Sequence, residues 1–305
     1  MSWSEDNLHR WLAGRQRPAC LSGSVGHDAA VLRPWSGRSV VCTDQVVAGV
    51  HAKLDVSAGL LGRKAAARAL SDLAATAARP RALLLALRAP AQTDEGYLRR
   101  LIGAVDREGQ RMGAPLVGGD LTCSPGPLSL AVTAHGSLSG KQKPPGRDRI
   151  RPGHIILCTG PCGGSLLGRH LRIAPRIEQG RWLHRNGATA LMDVSDGLAW
   201  DLFRLGRASR VAVDLQHVPI HPDARRAARK SGRTALDHAL HDGEDHELLA
   251  AVPRSKWKSL LAAAKRAGVR VLSIGAARKG AGLTLVMDGE RHAWHPDHGG
   301  WKHGT

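Results

Sequence analysis

The sequence predicts an α/β or α+β fold in two domains, on three observations. Short β-branched runs alternate with longer Ala/Leu/Arg stretches along the chain, as strands interleaved with helices do. The 305 residues, 42% of them hydrophobic, can bury a full core and favour two domains over one. One segment, "SGKQKPPGRDRIRPG" from Ser139 to Gly153, is dense in Gly, Pro and charge, and separates domains at about 1–140 and 150–305.

The elements follow in order. "SVVCTDQVV" reads as a buried strand, and "GLLGRKAAARALSDLAATAARP" as an Ala-rich helix with Ala66, Leu70, Leu73 and Ala77 down one face, closed by Pro80. A strand "RALLLALRAP", a helix "DEGYLRRLIGAVDREGQRMG" ended by Gly113, and strands "PLVGGD" and "LSLAVTAHGSL" complete the first half. Beyond the boundary come a strand "HIILCTG", a glycine-rich turn "GPCGGSLLG", and helical stretches to about Asn186. In "LMDVSDGLAWDL" a short apolar strand hands over to a helix. Then follow a strand "VAVDL", a helix around "DARRAARKSG", a strand "HELLAAVP", a helix "RSKWKSLLAAAKRAG" and two further strands.

Composition excludes several classes. The start, "MSWSEDNLHRWLAGRQ", carries charge throughout, and the longest apolar stretch, "RALLLALRAPA", is too short and interrupted to span a bilayer, so no membrane partner and a cytoplasmic setting are expected. Five cysteines without a tight pair read as free thiols. The net charge of +18 would suit an anionic partner, yet the basic residues are spread over the chain, and one Tyr and one Phe cannot supply interleaved aromatics for RNA. Solvated basic faces, with no nucleic-acid partner, are the expectation. The sixteen histidines form no set at metal-ligand spacing.

Carboxylates are outnumbered, 26 against 44 basic residues, yet several stand beside Gly or at the ends of apolar runs: Asp28, Asp44, Asp72, Asp120, Asp193 and Asp196. An unpaired carboxylate is costly in such settings. A hard divalent cation, magnesium above all, would resolve the cost for several at once, since it prefers carboxylate and phosphate oxygens. Taken singly, each also reads as a turn, cap or ion-pair residue. There is no GxxxxGKS/T loop, no GxGxxG turn and no HRD or DFG set, so a bound nucleotide would be held by some other scheme.

In order, "GHDAAVL", "TDQVVAGVH", "GRKAAARALSDLAATAARPRALLLAL", "LVGGDLT", "LSLAVTAHG", "GRDRIRPGHIILCTG", "MDVSDGLAWDL" and "DGEDHELLAAVP" resemble the successive blocks of the thiamine-monophosphate kinase family, in the superfamily of aminoimidazole ribonucleotide synthetase and selenophosphate synthetase. The resemblance runs from about Gly26 to Trp301. It implies transfer of the γ-phosphoryl of ATP to thiamine monophosphate, with magnesium, by a homodimer whose N-terminal domains build a shared β-barrel and nucleotide site. Carried over motif by motif, Asp28, Thr43, Asp44, Asp72, Asp120, Asp193 and Asp196 would hold metal, with the Cys42 backbone beside them. Gly119, Asp120, Arg147 and Ser195 would face ATP, while His51, Glu244 and Trp301 would face thiamine monophosphate. Asp120, Arg147 and Asp196 would act on the transferring group.

The chain departs from the family pattern in places. His27 replaces the first Asp of the usual GDD, Ala52 replaces the Phe of GVHF, and "HDGEDHEL" replaces SGGEDYEL, bringing His241, Asp242 and His246. A related ATP-dependent enzyme with a shifted substrate, and a basic nucleic-acid-binding module, are the alternatives.

Overall fold

The protein, seen in a computed structural model, is described over residues 3–22, 28–140 and 143–299. Its chain divides into two compact units: unit 1 comprises residues 1–73, 78–141 and 171–173, and unit 2 comprises 74–77, 142–170 and 174–305.

Unit 1 holds helices α1 (Glu5–Ala13), α2 (Ala58–Ala75) and α3 (Glu95–Arg111) and strands β1 (Arg38–Val47), β2 (Arg79–Ala89), β3 (Leu116–Cys123) and β4 (Ser129–Leu138). The strands form one sheet in the order β1-β4-β2-β3. β4 runs antiparallel to β1 and β2, and β3 is parallel to β2 because α3 carries the chain across between them. β1 is not the buried strand the sequence predicts: from Ser39 on its exposure alternates, so Val46 faces inward while Val41 is 63% exposed on the opposite face, beside Thr43 and Gln45. Leu84 of β2, 42% exposed, shares that outer face. This sheet is open within the chain and does not close into a barrel.

Helices α2 and α3 touch tightly: a Cβ on Gly62 would lie 2.3 Å from the Leu101 carbonyl oxygen, so only glycine permits the approach. α2 does not run to Pro80. It ends at Ala75, where Ala77 turns left-handed (φ 57°) and the Ala78 N–H caps the Leu73 carbonyl at 2.9 Å, and Pro80 stands inside β2. An ordinary C-terminal cap, with alanine where glycine is usual, stops the helix before the proline is reached.

Unit 2 holds β5 (Ile155–Cys158), α4 (Ile177–Arg185), β6 (Ala190–Asp193), α5 (Leu198–Ser209), β7 (Ala212–Leu215), α6 (Pro222–Ser231), α7 (Ala235–His241), β8 (Leu248–Val252), α8 (Arg254–Ala267), β9 (Leu272–Arg278), β10 (Leu283–Met287) and β11 (Glu290–Trp294). Its seven-stranded mixed sheet has the order β11-β10-β7-β9-β5-β8-β6. The β5, β6 and β8 residues are buried throughout, which is why these strands read as continuous apolar runs. Ile156, Leu202, Leu205, Val213, Leu249 and Ile274 anchor the core. Among the described residues three strands follow α8 where the sequence predicts two. β10 and β11 form a hairpin whose turn, Asp288–Gly289, takes two left-handed residues (φ 52° and 84°).

All five cysteines are thiols rather than disulfides. No helix among the described residues is long and apolar enough to cross a membrane.

Candidate active site

In unit 1 the pleat sorts the candidate residues onto two faces. Cys42 and Asp44 point toward α2: the Cys42 thiol donates to the Ala69 carbonyl (3.2 Å), and Asp44 accepts from Arg68 Nε (2.8 Å) and Nη2 (3.1 Å) as well as from the Gln45 N–H (2.7 Å). Asp72 lies one helical turn beyond Arg68 on α2, half-buried. Thr43 points the other way, where its hydroxyl accepts from Thr133 Oγ1 (3.2 Å). The strand registers place Asp120 beside Ala86, itself opposite Ala131 and Gln45, hence on the outer face with Thr43. Asp44 and Asp120 therefore stand on opposite faces of one sheet, on its two edge strands.

Asp120 accepts from Thr122 Oγ1 (3.2 Å) and lines an open cavity of about 340 Å³ with Gln45, Arg88 and Ser129. That cavity does not include Asp44. Gly119 precedes Asp120 where the backbones of β2 and β3 meet: a Cβ there would be 1.9 Å from the Leu85 carbonyl oxygen. His51 sits in the turn after β1, its Nδ1 accepting from the Val47 N–H (3.1 Å) and its carbonyl from the fully buried Lys64. Asp28 is exposed in a bend.

In unit 2 the structure gathers Asp193, Ser195, Asp196 and Glu244 at one end of β6 and β8. β6 ends at Asp193, opposite Leu248 of β8, and α5 starts at Leu198. The intervening turn is tied to the segment before β8: Val194 N–H to the Glu247 carbonyl (2.8 Å), His246 N–H to the Val194 carbonyl (2.8 Å), and Glu244 N–H to the Ser195 carbonyl (2.7 Å). Reaching this geometry sets Gly243, Glu244 and His246 in left-handed conformations (φ 71°, 52° and 51°), which for non-glycine residues costs on the order of 1 kcal/mol each.

Two unit 2 carboxylates of the candidate set, Asp193 and Asp196, have partners the sequence did not announce. Asp193, 4% exposed, meets His246 Nδ1 at 3.1 Å, so that nitrogen carries the proton, while the buried His246 Nε2 has no hydrogen-bond partner. Asp196 pairs with Arg204, whose guanidinium also lies 5.0 Å from the Trp200 ring centre. Asp201 accepts from both the Ser195 and the Asp196 N–H at 2.9 Å. Burial, then the Asp196 charge, pushes the Asp201 carboxyl well above the usual range, against the pull of the Asp196 N–H and Arg204.

Arg147 is not part of this gathering. Its carbonyl accepts from Ser209 Oγ (2.7 Å) at the far end of α5, which at 1.5 Å per residue is about 18 Å from the Ser195 turn. Trp301 and His27 lie outside the described residues. Among the described residues, no three His, Cys, Asp or Glu side chains stand close enough to hold a metal ion. By its chemistry the donor set still fits a hard cation: carboxylate and hydroxyl oxygens, three of the carboxylates already facing cationic or imidazole groups.

Comparison with known proteins decides the family. The model for "AIR synthase related protein, N-terminal domain" matches residues 26–138. The thiamine-monophosphate kinase of Rhodopirellula baltica is 38% identical over 263 residues, covering 81% of this chain and 82% of its own. The chain belongs to the thiamine-monophosphate kinase family. A solved family structure from Stenotrophomonas maltophilia superposes with a TM-score of 0.77 at 31% identity, covering 95% of this chain and 98% of that one. Another, described as "AaThiL complexed with AMPPCP and TMP", gives a TM-score of 0.77 at 25% identity, over 98% of this chain and 95% of that one.

Against the family pattern, two departures acquire a physical account. Asp242, where the family has Gly, caps α7 with a side chain only 6% exposed, accepting from the Gly164 N–H (2.8 Å), His238 Nδ1 (2.9 Å) and Arg233 Nη1 (3.1 Å). His241 is held between Asp237 Oδ1 (2.7 Å) and the Trp294 indole N–H, which donates to its Nε2 (3.1 Å). Both belong to the scaffold under the Glu244 turn.

Proposed function

We propose that this chain phosphorylates thiamine monophosphate with ATP, giving thiamine diphosphate and ADP. The observation that carries the reading is the gathering of Asp193, Ser195, Asp196 and Glu244 at the end of β6, within a chain of this family. The acceptor phosphate has a second pKa of about 6 and is largely a dianion at neutral pH, so it needs no general base. What remains is to bring two polyanions into line and offset their repulsion.

Asp28, Thr43, Asp44, Asp72, Asp120, Asp193 and Asp196, with the Cys42 backbone, would hold magnesium, which when bound neutralises phosphate charge. In this reading Gly119, Asp120, Arg147 and Ser195 bind ATP, and Arg147, which this chain holds at the far end of α5 from Ser195, would have to move toward the transferring group to add its guanidinium. His51, Glu244 and Trp301 receive thiamine monophosphate; Glu244, fixed by its left-handed backbone beside Ser195, supplies a carboxylate for the cationic or amino-bearing rings.

The reading includes a homodimer. The outer face of the unit 1 sheet, with Val41, Thr43, Gln45 and Leu84 exposed, supports pairing with its copy, and two four-stranded sheets supply the eight strands of a small barrel. The opposite placement of Asp44 and Asp120 also fits a site assembled from two sheets. A cytoplasmic setting goes with ATP as co-substrate.

The test is direct. The purified chain with ATP, magnesium and thiamine monophosphate is expected to yield thiamine diphosphate by chromatography, and Asp196→Asn to lose most of it. ATP consumption with a different phosphate ester, and none with thiamine monophosphate, would mark a shifted substrate.

A further inference from the structure

Within that proposed function, the Ser195–Asp196 turn is fixed from behind by a side chain the family pattern leaves without a role. One carboxylate oxygen, Asp201 Oδ2, accepts from two successive backbone N–H groups, those of Ser195 and Asp196, each at 2.9 Å. Asp201 is fully buried, in the first turn of α5. The other backbone groups around it are taken by a different segment: Val194 N–H and the Val194 and Ser195 carbonyls bond to residues 244–247. Gly197 fixes the far end of the turn, with φ 118° and space for a Cβ only 2.9 Å from the Leu240 carbonyl oxygen. Arg204, one helical turn after Asp201, lies 3.7 Å from its Oδ1 while pairing with Asp196.

We propose that Asp201 is the positioning residue of this site, holding the Ser195 and Asp196 backbones so that the hydroxyl and the Asp196 carboxylate project together toward the metal-nucleotide. It touches neither substrate nor reacting atoms. Its effect passes through two N–H bonds that end on one buried oxygen, and an amide in its place sets an NH2 group either against those N–H groups or against Arg204. Groups that orient a metal ligand in this way typically change metal affinity by about 10–100-fold when replaced.

The experiment compares the wild type with Asp201→Asn and, as a matched control, Asp106→Asn. Asp106 is also a buried carboxylate that captures a backbone N–H, that of Leu116 at 2.9 Å, but in unit 1 and outside the candidate set. Manganese binding is titrated by electron paramagnetic resonance with ATP present and thiamine monophosphate absent, and turnover is measured separately. The expected result for Asp201→Asn is half-saturation raised at least about tenfold and a similar fall in kcat, with KM for thiamine monophosphate within about twofold. Asp106→Asn lowers the melting temperature and leaves both readouts near wild type.

Manganese affinity and kcat within twofold of wild type in Asp201→Asn would overturn the proposal. Should that variant not fold, amide hydrogen exchange on the wild type decides: the Ser195 and Asp196 N–H groups are expected to be strongly protected, and rapid exchange of both overturns it. A wild type that binds manganese and ATP but makes no thiamine diphosphate removes the proposed reaction alone, because the Asp201 comparison rests on metal binding.

Discussion

Asp245 puts a titrating carboxyl directly beneath the candidate site. Its side chain is 1% exposed, accepts from the Gly163 N–H (2.9 Å), and pairs with Arg169 at 2.8 Å. Burial, opposed by Arg169 and helped by the neighbouring Glu247 charge, pushes its carboxyl up from 3.8 to about 6. The folded chain therefore binds this proton more tightly than the unfolded chain does. Its contribution to stability is most favourable below pH 3.8 and is lost as pH rises toward 6, by about 3 kcal/mol at ~1.4 kcal/mol per pKa unit. Urea unfolding at pH 4, 5, 6 and 7 should show Asp245→Asn gaining on the wild type as pH rises. Parallel curves across that range would mean that Arg169 keeps Asp245 ionised throughout. Asp242, nearby, is held by three donors. That account came only with the fold, because the sequence shows a substitution while the Gly164 N–H and His238 that receive it are 78 and 4 residues away.

The β2–β3 pair shows how an element can constrain a binding motif. The family resemblance gives Gly119 of "LVGGD" to the nucleotide, yet Gly119 is required by the strand pairing itself, because a methyl there would overlap the Leu85 carbonyl. Gly119→Ala is expected to cost at least about 2 kcal/mol, within the range of an overpacked core, and to lower the melting temperature by several degrees. An unchanged melting curve with lost ATP affinity would instead make Gly119 a residue kept for the nucleotide. The same contrast explains what was legible. β1, α3, β8 and α8 have strong periodicity or continuous apolar runs and stand where the sequence puts them. α7 has only seven residues, and the exposed β11, "ERHAW", lacks inward apolar alternation, so neither produced a signal. The acidic positions drew attention because carboxylates are scarce among apolar neighbours, while the gathering of Asp193, Asp196 and Glu244 at the end of β6 came only with the fold. The partnerships of Arg68 and His246 were not legible, because each reaches its partner through packing rather than sequence spacing, while those of Asp201 and Arg204 depend on how the turn before α5 folds back.

For the whole molecule, the net charge of +18 is the excess of 44 basic over 26 acidic residues, which ion pairs such as those of Arg68, Arg169, Arg176, Arg204 and Arg233 leave unchanged. Unit 1 also leaves a sheet face uncovered. Val41 and Leu84 are large and apolar, and Thr43, Thr133, Ala131 and Ala86 on the same face are small, a surface able to accept a second sheet closely. If that surface joins two copies, Leu84→Glu puts a charge where two apolar sheets meet, and burying it unpaired costs several kcal/mol. Sedimentation equilibrium at micromolar concentration should then find a dimer for the wild type and a monomer for Leu84→Glu. The circular dichroism of the variant should remain native, because Leu84 is 42% exposed within its own chain and contributes little to the core of unit 1. Activity should fall with the dimer if residues of both copies complete one site, as the placement of Asp44 and Asp120 on opposite faces suggests. A variant that stays dimeric would move the interface elsewhere, and a monomer with full turnover would return every catalytic contact to one chain.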